Sequence, residues 1–156
     1  MNAIPPIAPL PRDQRGIDDD HLNLLSIFHF VAAGFACLGI LFLMVHFAFM
    51  HFVFTNPALW QNQKQSPPPP EFFQMFHFVF IFFYLLMGLW LLASAVLNIL
   101  SGVFLRTRKH RTFSIVVSAI NCLQVPLGTI LGIFTIIVLT RNSVRELYEA
   151  GLRRYI

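Results

Sequence analysis

The chain has 156 residues, of which 56% are hydrophobic and 12% are charged, whereas about a quarter of the residues in an average soluble domain are charged. Its apolar blocks exceed the ~20 residues with which a helix crosses the ~30 Å hydrocarbon core of a bilayer, which excludes a soluble globular fold. The net charge is +4, and ten of the eleven Lys and Arg residues lie outside 55–71. Such asymmetry is typical of membrane topology and argues against nucleic-acid binding.

Residues 1–20 contain four prolines, Gly16 and mixed charges, which predicts a flexible tail. A basic segment followed at once by a short apolar core is missing, so we expect no cleaved signal peptide. The three consecutive aspartates, Asp18, Asp19 and Asp20, are expected to cap the first helix, because carboxylates favour a helix N-terminus.

Two long apolar segments follow, 22–54 and 72–105, and as helices each would measure roughly 50 Å. The intervening segment 55–71 contains Asn56, Pro57 and a run of four prolines, which predicts a stiff link between two antiparallel spans. Gly34 in the first span allows another helix to approach closely. In the second span, Ser94, Asn98 and Ser101 share one helix face, which predicts hydrogen bonding to another helix or, alternatively, a substrate path.

A short basic loop follows the second span. It contains Arg106, Arg108, Lys109 and Arg111. The positive-inside rule predicts that this loop and the N-terminus are cytoplasmic. Anionic lipid headgroups are its expected partners.

The next apolar segment has two interpretations. As one kinked helix it would leave the arginine-rich C-terminus on the opposite side from the basic loop, whereas a hairpin with arms 112–125 and 127–140 returns it to the cytoplasm. The charges favour the hairpin, although each arm is short for a span. Asn121 and the Gly128–Gly132 pair are then expected at helix contacts. The fold predicted is an integral membrane four-helix bundle over 21–140, with both termini cytoplasmic.

Residues 141–156 complete the chain. Ser143 and Glu146 have the spacing of a capping box, and Val144, Leu147 and Tyr148 recur at helical spacing. This pattern predicts a short amphipathic helix on the cytoplasmic membrane surface, or docked on a partner helix.

Two sequence stretches carry a resemblance. PLGTILGIFTIIVLTRNSVREL, from Pro126 to Leu147, and HLNLLSIFHFVAAG, from His21 to Gly34, are similar to the final hairpin and the first helix of small bacterial membrane proteins without an established function. Where those proteins often have proline after the arginine, this chain has Asn142. The resemblance implies a four-helix protein of the bacterial inner membrane and brings no activity with it.

Three histidines, His46, His51 and His77, lie near the outer ends of the two long spans. Imidazoles on facing helices can hold the metal of a haem or another tetrapyrrole. His46 and His51 are five residues apart, about 140° around a helix, so His46 with His77 is the pair expected to share a ligand. The alternative is that these side chains bond carbonyls or headgroups at the interface.

Three functional hypotheses are compatible with these features. The first is a non-catalytic accessory or structural subunit that packs in the bilayer against other membrane subunits or a second copy, with no cofactor. The second is a tetrapyrrole-binding subunit for electron transfer or pigment binding. The third is an oligomeric pore or carrier lined by Ser94, Asn98, Asn121 and Gln124. Among the spans no Asp, Glu, Lys or Arg occurs, and no catalytic or metal-binding motif is present, so we expect no enzyme activity.

Overall fold

The computed structural model describes residues 11–56 and 70–153, with side chains at 14–53, 55–56 and 75–149. This part of the chain is entirely helical, with no strand. Its five helices are α1 (Pro11–Thr55), α2 (Pro70–Thr107), α3 (Arg111–Asn121), α4 (Leu127–Thr140) and α5 (Asn142–Arg153). The prediction of an all-α chain is confirmed for these residues, and the tail forms a fifth helix.

The two longest helices are long and apolar enough to cross a membrane. The candidate spans are Gln14–Val53 in α1 and Met75–Thr107 in α2. Both contain more than the ~20 apolar residues that the hydrocarbon core requires. The structure therefore agrees with the predicted pair of long membrane helices and with a membrane protein.

The start of α1 differs from the sequence prediction. The helix begins at Pro11, so residues 11–20 are helical where we expected a flexible tail and a cap; residues 1–10 lie outside the described residues. A proline fits the first turn of a helix because its missing N–H has no helical partner there. Asp18 lies inside the helix, is fully buried and is 3.8 Å from Arg141, while Asp19 is 2.9 Å from Arg108. These carboxylates pair with basic residues far along the chain, which a search for local caps does not detect.

The described residues divide into two compact units. Residues 11–32 and 97–153 form one, called here the five-helix unit because parts of all five helices contribute to it. Residues 33–56 and 70–96 form the other, the two-helix unit, which contains only α1 and α2.

The five-helix unit has a continuous apolar core. Leu22 and Leu25 of α1 and Leu105 of α2 pack there with side chains of α4 and α5, namely Val138, Leu139, Val144 and Tyr148. The apolar side of α5 therefore faces the core of its own unit. Burying that stripe stabilises α5, since a helix of 12 residues is marginal by itself.

Helices α3 and α4 form a tight hairpin joined by residues 122–126. A Cβ atom at Gly132 would collide with the carbonyl oxygen of Ser118, and one at Gly128 would lie 2.5 Å from that of Asn121. The absent side chains thus let the two backbones touch. The helices have 11 and 14 residues, roughly 17 and 21 Å, so each is shorter than the ~30 Å hydrocarbon core.

Candidate functional site

In the two-helix unit, close contacts fix the antiparallel register of α1 and α2. A Cβ atom at Gly39 would lie 3.4 Å from the side chain of Leu91. Two turns further along α1, Nδ1 of His46 is hydrogen-bonded to the hydroxyl of Tyr84. Each turn forward in α1 therefore corresponds to a turn backward in α2.

Within this register, the three candidate histidines separate into two places. His51 faces His77, with ring centres 6.2 Å apart and planes inclined by 55°. His46 lies instead against Tyr84, whose ring also packs edge-to-face with that of Phe47, their centres 5.1 Å apart. The structure thus places His51, rather than the expected His46, opposite His77, because His46 lies more than one turn further from the end at which α1 and α2 are linked.

The His51–His77 pair is accessible from outside the protein. Both side chains are exposed, and each lies two residues from the end of a candidate span, Val53 and Met75 respectively. Among the described residues, neither ring takes part in a hydrogen bond, and no group of three or more His, Cys, Asp or Glu side chains could hold a metal ion. The pair can supply two imidazole ligands, with further ligands coming from another source.

The five-helix unit contains a layer of buried polar side chains. Asn98 of α2 and Asn121 of α3 exchange hydrogen bonds of 2.8 and 3.1 Å through their amides. The hydroxyl of Ser26 donates to the carbonyl of Gly102 at 2.8 Å. A pore lining would have to present such donor and acceptor groups to the solute. Here these groups are bonded to one another or to the backbone. Ser94, predicted to share the helix face of Asn98, is also buried but belongs to the two-helix unit.

His29, in the first half of the α1 apolar segment, is fully buried. Its Nδ1 lies 2.9 Å from the carbonyl oxygen of Leu25. Because a carbonyl only accepts, Nδ1 carries a hydrogen. Within the described residues Nε2 has no hydrogen-bond partner. The signal that could have revealed this burial is the alignment of Leu22, Leu25 and His29 on one helix face.

The basic loop contributes to the fold as well as to the surface. Arg108 pairs with Asp19, and Nε of Arg111 donates to the carbonyl of Leu139 at 2.7 Å. Arg106 and Lys109 are exposed. Burial raises the pKa of Tyr148 in α5 to about 12, against the smaller lowering effect of Arg111 and Arg108.

The predicted packing glycines have different environments. Gly128 and Gly132 lie against α3 inside the chain, whereas a Cβ atom at Gly34 would have nothing within 4 Å. Gly34 is exposed, and so is Cys37 one turn later. This face of α1 therefore has no covering helix among the described residues.

No family model, curated protein or solved structure matches this chain.

Proposed function

We propose that the protein is a non-catalytic subunit of the bacterial inner membrane that packs through its two-helix unit against other membrane subunits or a second copy. One observation carries this proposal. Every residue of segments 37–53 and 75–93 is described, and none of them is buried. The exposed side chains include Phe42 (69%), Phe78 (73%) and Leu85 (68%). An apolar surface of this extent needs a cover of lipid or protein.

The face of α1 around Gly34, next to segment 37–53, favours a protein partner. Helices associate in lipid mainly by close packing at small residues, because lipid and protein interiors are equally apolar. Gly34 and Cys37 leave open space on one face of α1, which they share with Leu38 and Leu41, 61% and 59% exposed; we call this face the groove. We assign this groove to a partner helix and the phenylalanine-rich faces to lipid.

The proposed topology places both chain ends in the cytoplasm. Asp18 and Asp19 in α1 pair with Arg141 and Arg108, so the start of α1, the basic loop and the start of α5 are gathered at one end of the five-helix unit. The positive-inside rule assigns such a cluster to the cytoplasmic side. The α3–α4 hairpin then extends from that side, and its tip includes Val125, which is 80% exposed.

The experiment compares Gly34→Leu with Phe35→Leu in protein extracted with its native lipids. Gly34→Leu fills the groove without meeting an atom of its own chain within 4 Å, so helicity and thermal stability should be unchanged. The mass of the extracted assembly should fall to that of one chain with lipid. Phe35→Leu, on a neighbouring lipid-facing position, should leave the assembly intact.

The mass of the wild-type assembly also separates the two kinds of partner. Integer multiples of 17.9 kDa indicate self-association, and larger subunits indicate an accessory role. A wild-type protein that is monomeric in native lipids, or a Gly34→Leu variant with unaltered assembly, would contradict the proposal.

A further inference from the structure

We infer that His51 and His77 form a coordination site for a metal centre of the borderline class, in which the pair supplies two imidazole nitrogens. Imidazole is the ligand that zinc, nickel and copper ions and haem iron share. The two rings come from facing helices and lie 6.2 Å apart. The inference does not depend on the proposed packing function.

The separation of the rings suits coordination. Metal–nitrogen bonds of about 2.0–2.1 Å place the centres of two imidazoles on one ion roughly 5 to 6 Å apart. The observed 6.2 Å is close to this range, so small rotations about the side-chain bonds bring a nitrogen of each ring to the metal. Both histidines are exposed, which leaves them room for such rotations.

The surroundings of the pair make it available to a ligand. His46 is bound to Tyr84, whereas no hydrogen bond within the described residues holds the ring of His51 or His77. The pair also lies at the ends of both candidate spans, near Val53 and Met75.

Two ligands leave a tetrahedral ion half coordinated. Water completes the sphere if one ion binds per chain, and the same pair of a second copy completes it if one ion binds per two chains. A tetrapyrrole is the other source of the same chemistry, because its metal takes axial imidazoles. All of these cases use the same two histidines. They differ in the number of metal ions bound per chain and in whether the protein absorbs visible light.

The test uses the full chain without a polyhistidine tag, in nanodiscs. Zn²⁺ binding is measured by equilibrium dialysis with elemental analysis. His51→Gln and His77→Gln should each weaken binding at least about tenfold, since loss of an outer-shell partner of a ligand alone weakens metal affinity about 10–100-fold. His46→Gln, in the same aromatic segment but outside the pair, should change it less than about twofold. Helical circular dichroism confirms that each variant is folded.

Electron paramagnetic resonance of bound Cu²⁺ supplies a second measurement. The spectrum of wild type should show hyperfine splitting from two nitrogens, and the spectra of His51→Gln and His77→Gln should show splitting from fewer. If the protein carries an absorption band above 300 nm that both variants lose, the metal belongs to a tetrapyrrole; colourless protein that binds Zn²⁺ indicates the aqueous ion. Equal Zn²⁺ binding by wild type and both variants would overturn the inference. So would a His46→Gln loss as large as theirs.

Discussion

The two units use the same pair of helices in opposite ways. In the five-helix unit, α1 and α2 bury Leu22, Leu25 and Leu105 against α4 and α5, and polar side chains such as Asn98 are hydrogen-bonded inside. In the two-helix unit, the equally apolar segments 37–53 and 75–93 of the same helices contain no buried residue. The difference shows that hydrophobicity alone does not identify the core of this chain. Buried polar and small residues do, because only packed helices can satisfy them.

The largest expected difference between the two units comes from substituting one glycine in each. Gly132→Ala should destabilise the chain by about 3 kcal/mol, since the new methyl group meets backbone atoms of α3 that cannot rotate away. Gly34→Ala, with open space around it, should leave stability unchanged. Unfolding in mixed micelles, followed by circular dichroism, measures both. Equal losses for the two variants would contradict the assignment of core and open surface.

High pH should weaken the five-helix unit through Tyr148. Its folded-state pKa of about 12 exceeds the usual 10, so the neutral phenol is favoured on folding. The resulting stability is fully present below pH 10 and is lost between pH 10 and 12, at up to about 1.4 kcal/mol per pH unit. The free energy of unfolding is measured against pH for wild type and for Tyr148→Phe, and the difference between the two curves isolates the contribution of Tyr148. A difference that is flat across that interval would exclude burial of a neutral Tyr148.

Removing one amide of the buried pair should have a smaller effect. Asn98→Leu strands the amide of Asn121, at a cost of about 1–2 kcal/mol. The double variant Asn98→Leu/Asn121→Leu should regain part of that loss, because neither group is then left unpaired. A double-mutant cycle measures the coupling. Additive losses would show that the two amides do not act as a pair.

The surface ion pair should matter least. Arg108→Gln removes the ion pair with Asp19, in which both side chains are partly exposed. The free energy of unfolding should therefore fall by about 0.5 kcal/mol, and by less at high salt. If Arg108→Gln lost more stability than Asn98→Leu, the ion pairs at the basic end would stabilise the five-helix unit more than the polar layer does. The unfolding assay used above, at two ionic strengths, decides this.

Local patterns in the sequence predicted the elements better than their partners. Long apolar stretches predict α1 and α2, and Pro126 with its neighbours predicts the break before α4, because span length and proline geometry are local properties. The ion pair of Asp18 with Arg141 joins positions over a hundred residues apart and leaves no local trace. The same holds for the candidate site. Helical geometry separated His46 from His51, but the choice of His51 as the partner of His77 depends on the register set by contacts such as Gly39–Leu91.

The most direct test of a protein-covered groove is the local environment of Cys37. The first protein carries Cys122→Ser, so that a bimane label reacts with the exposed thiol of Cys37. The second carries Cys37→Ser and Cys122→Ser together with Phe35→Cys, so that the label is attached at position 35. Both are placed in native assemblies exchanged into brominated lipids. A partner helix in the groove predicts strong bromine quenching at position 35 and weak quenching at position 37. Equal, strong quenching at both positions would mean that lipid fills the groove, and it would contradict the account.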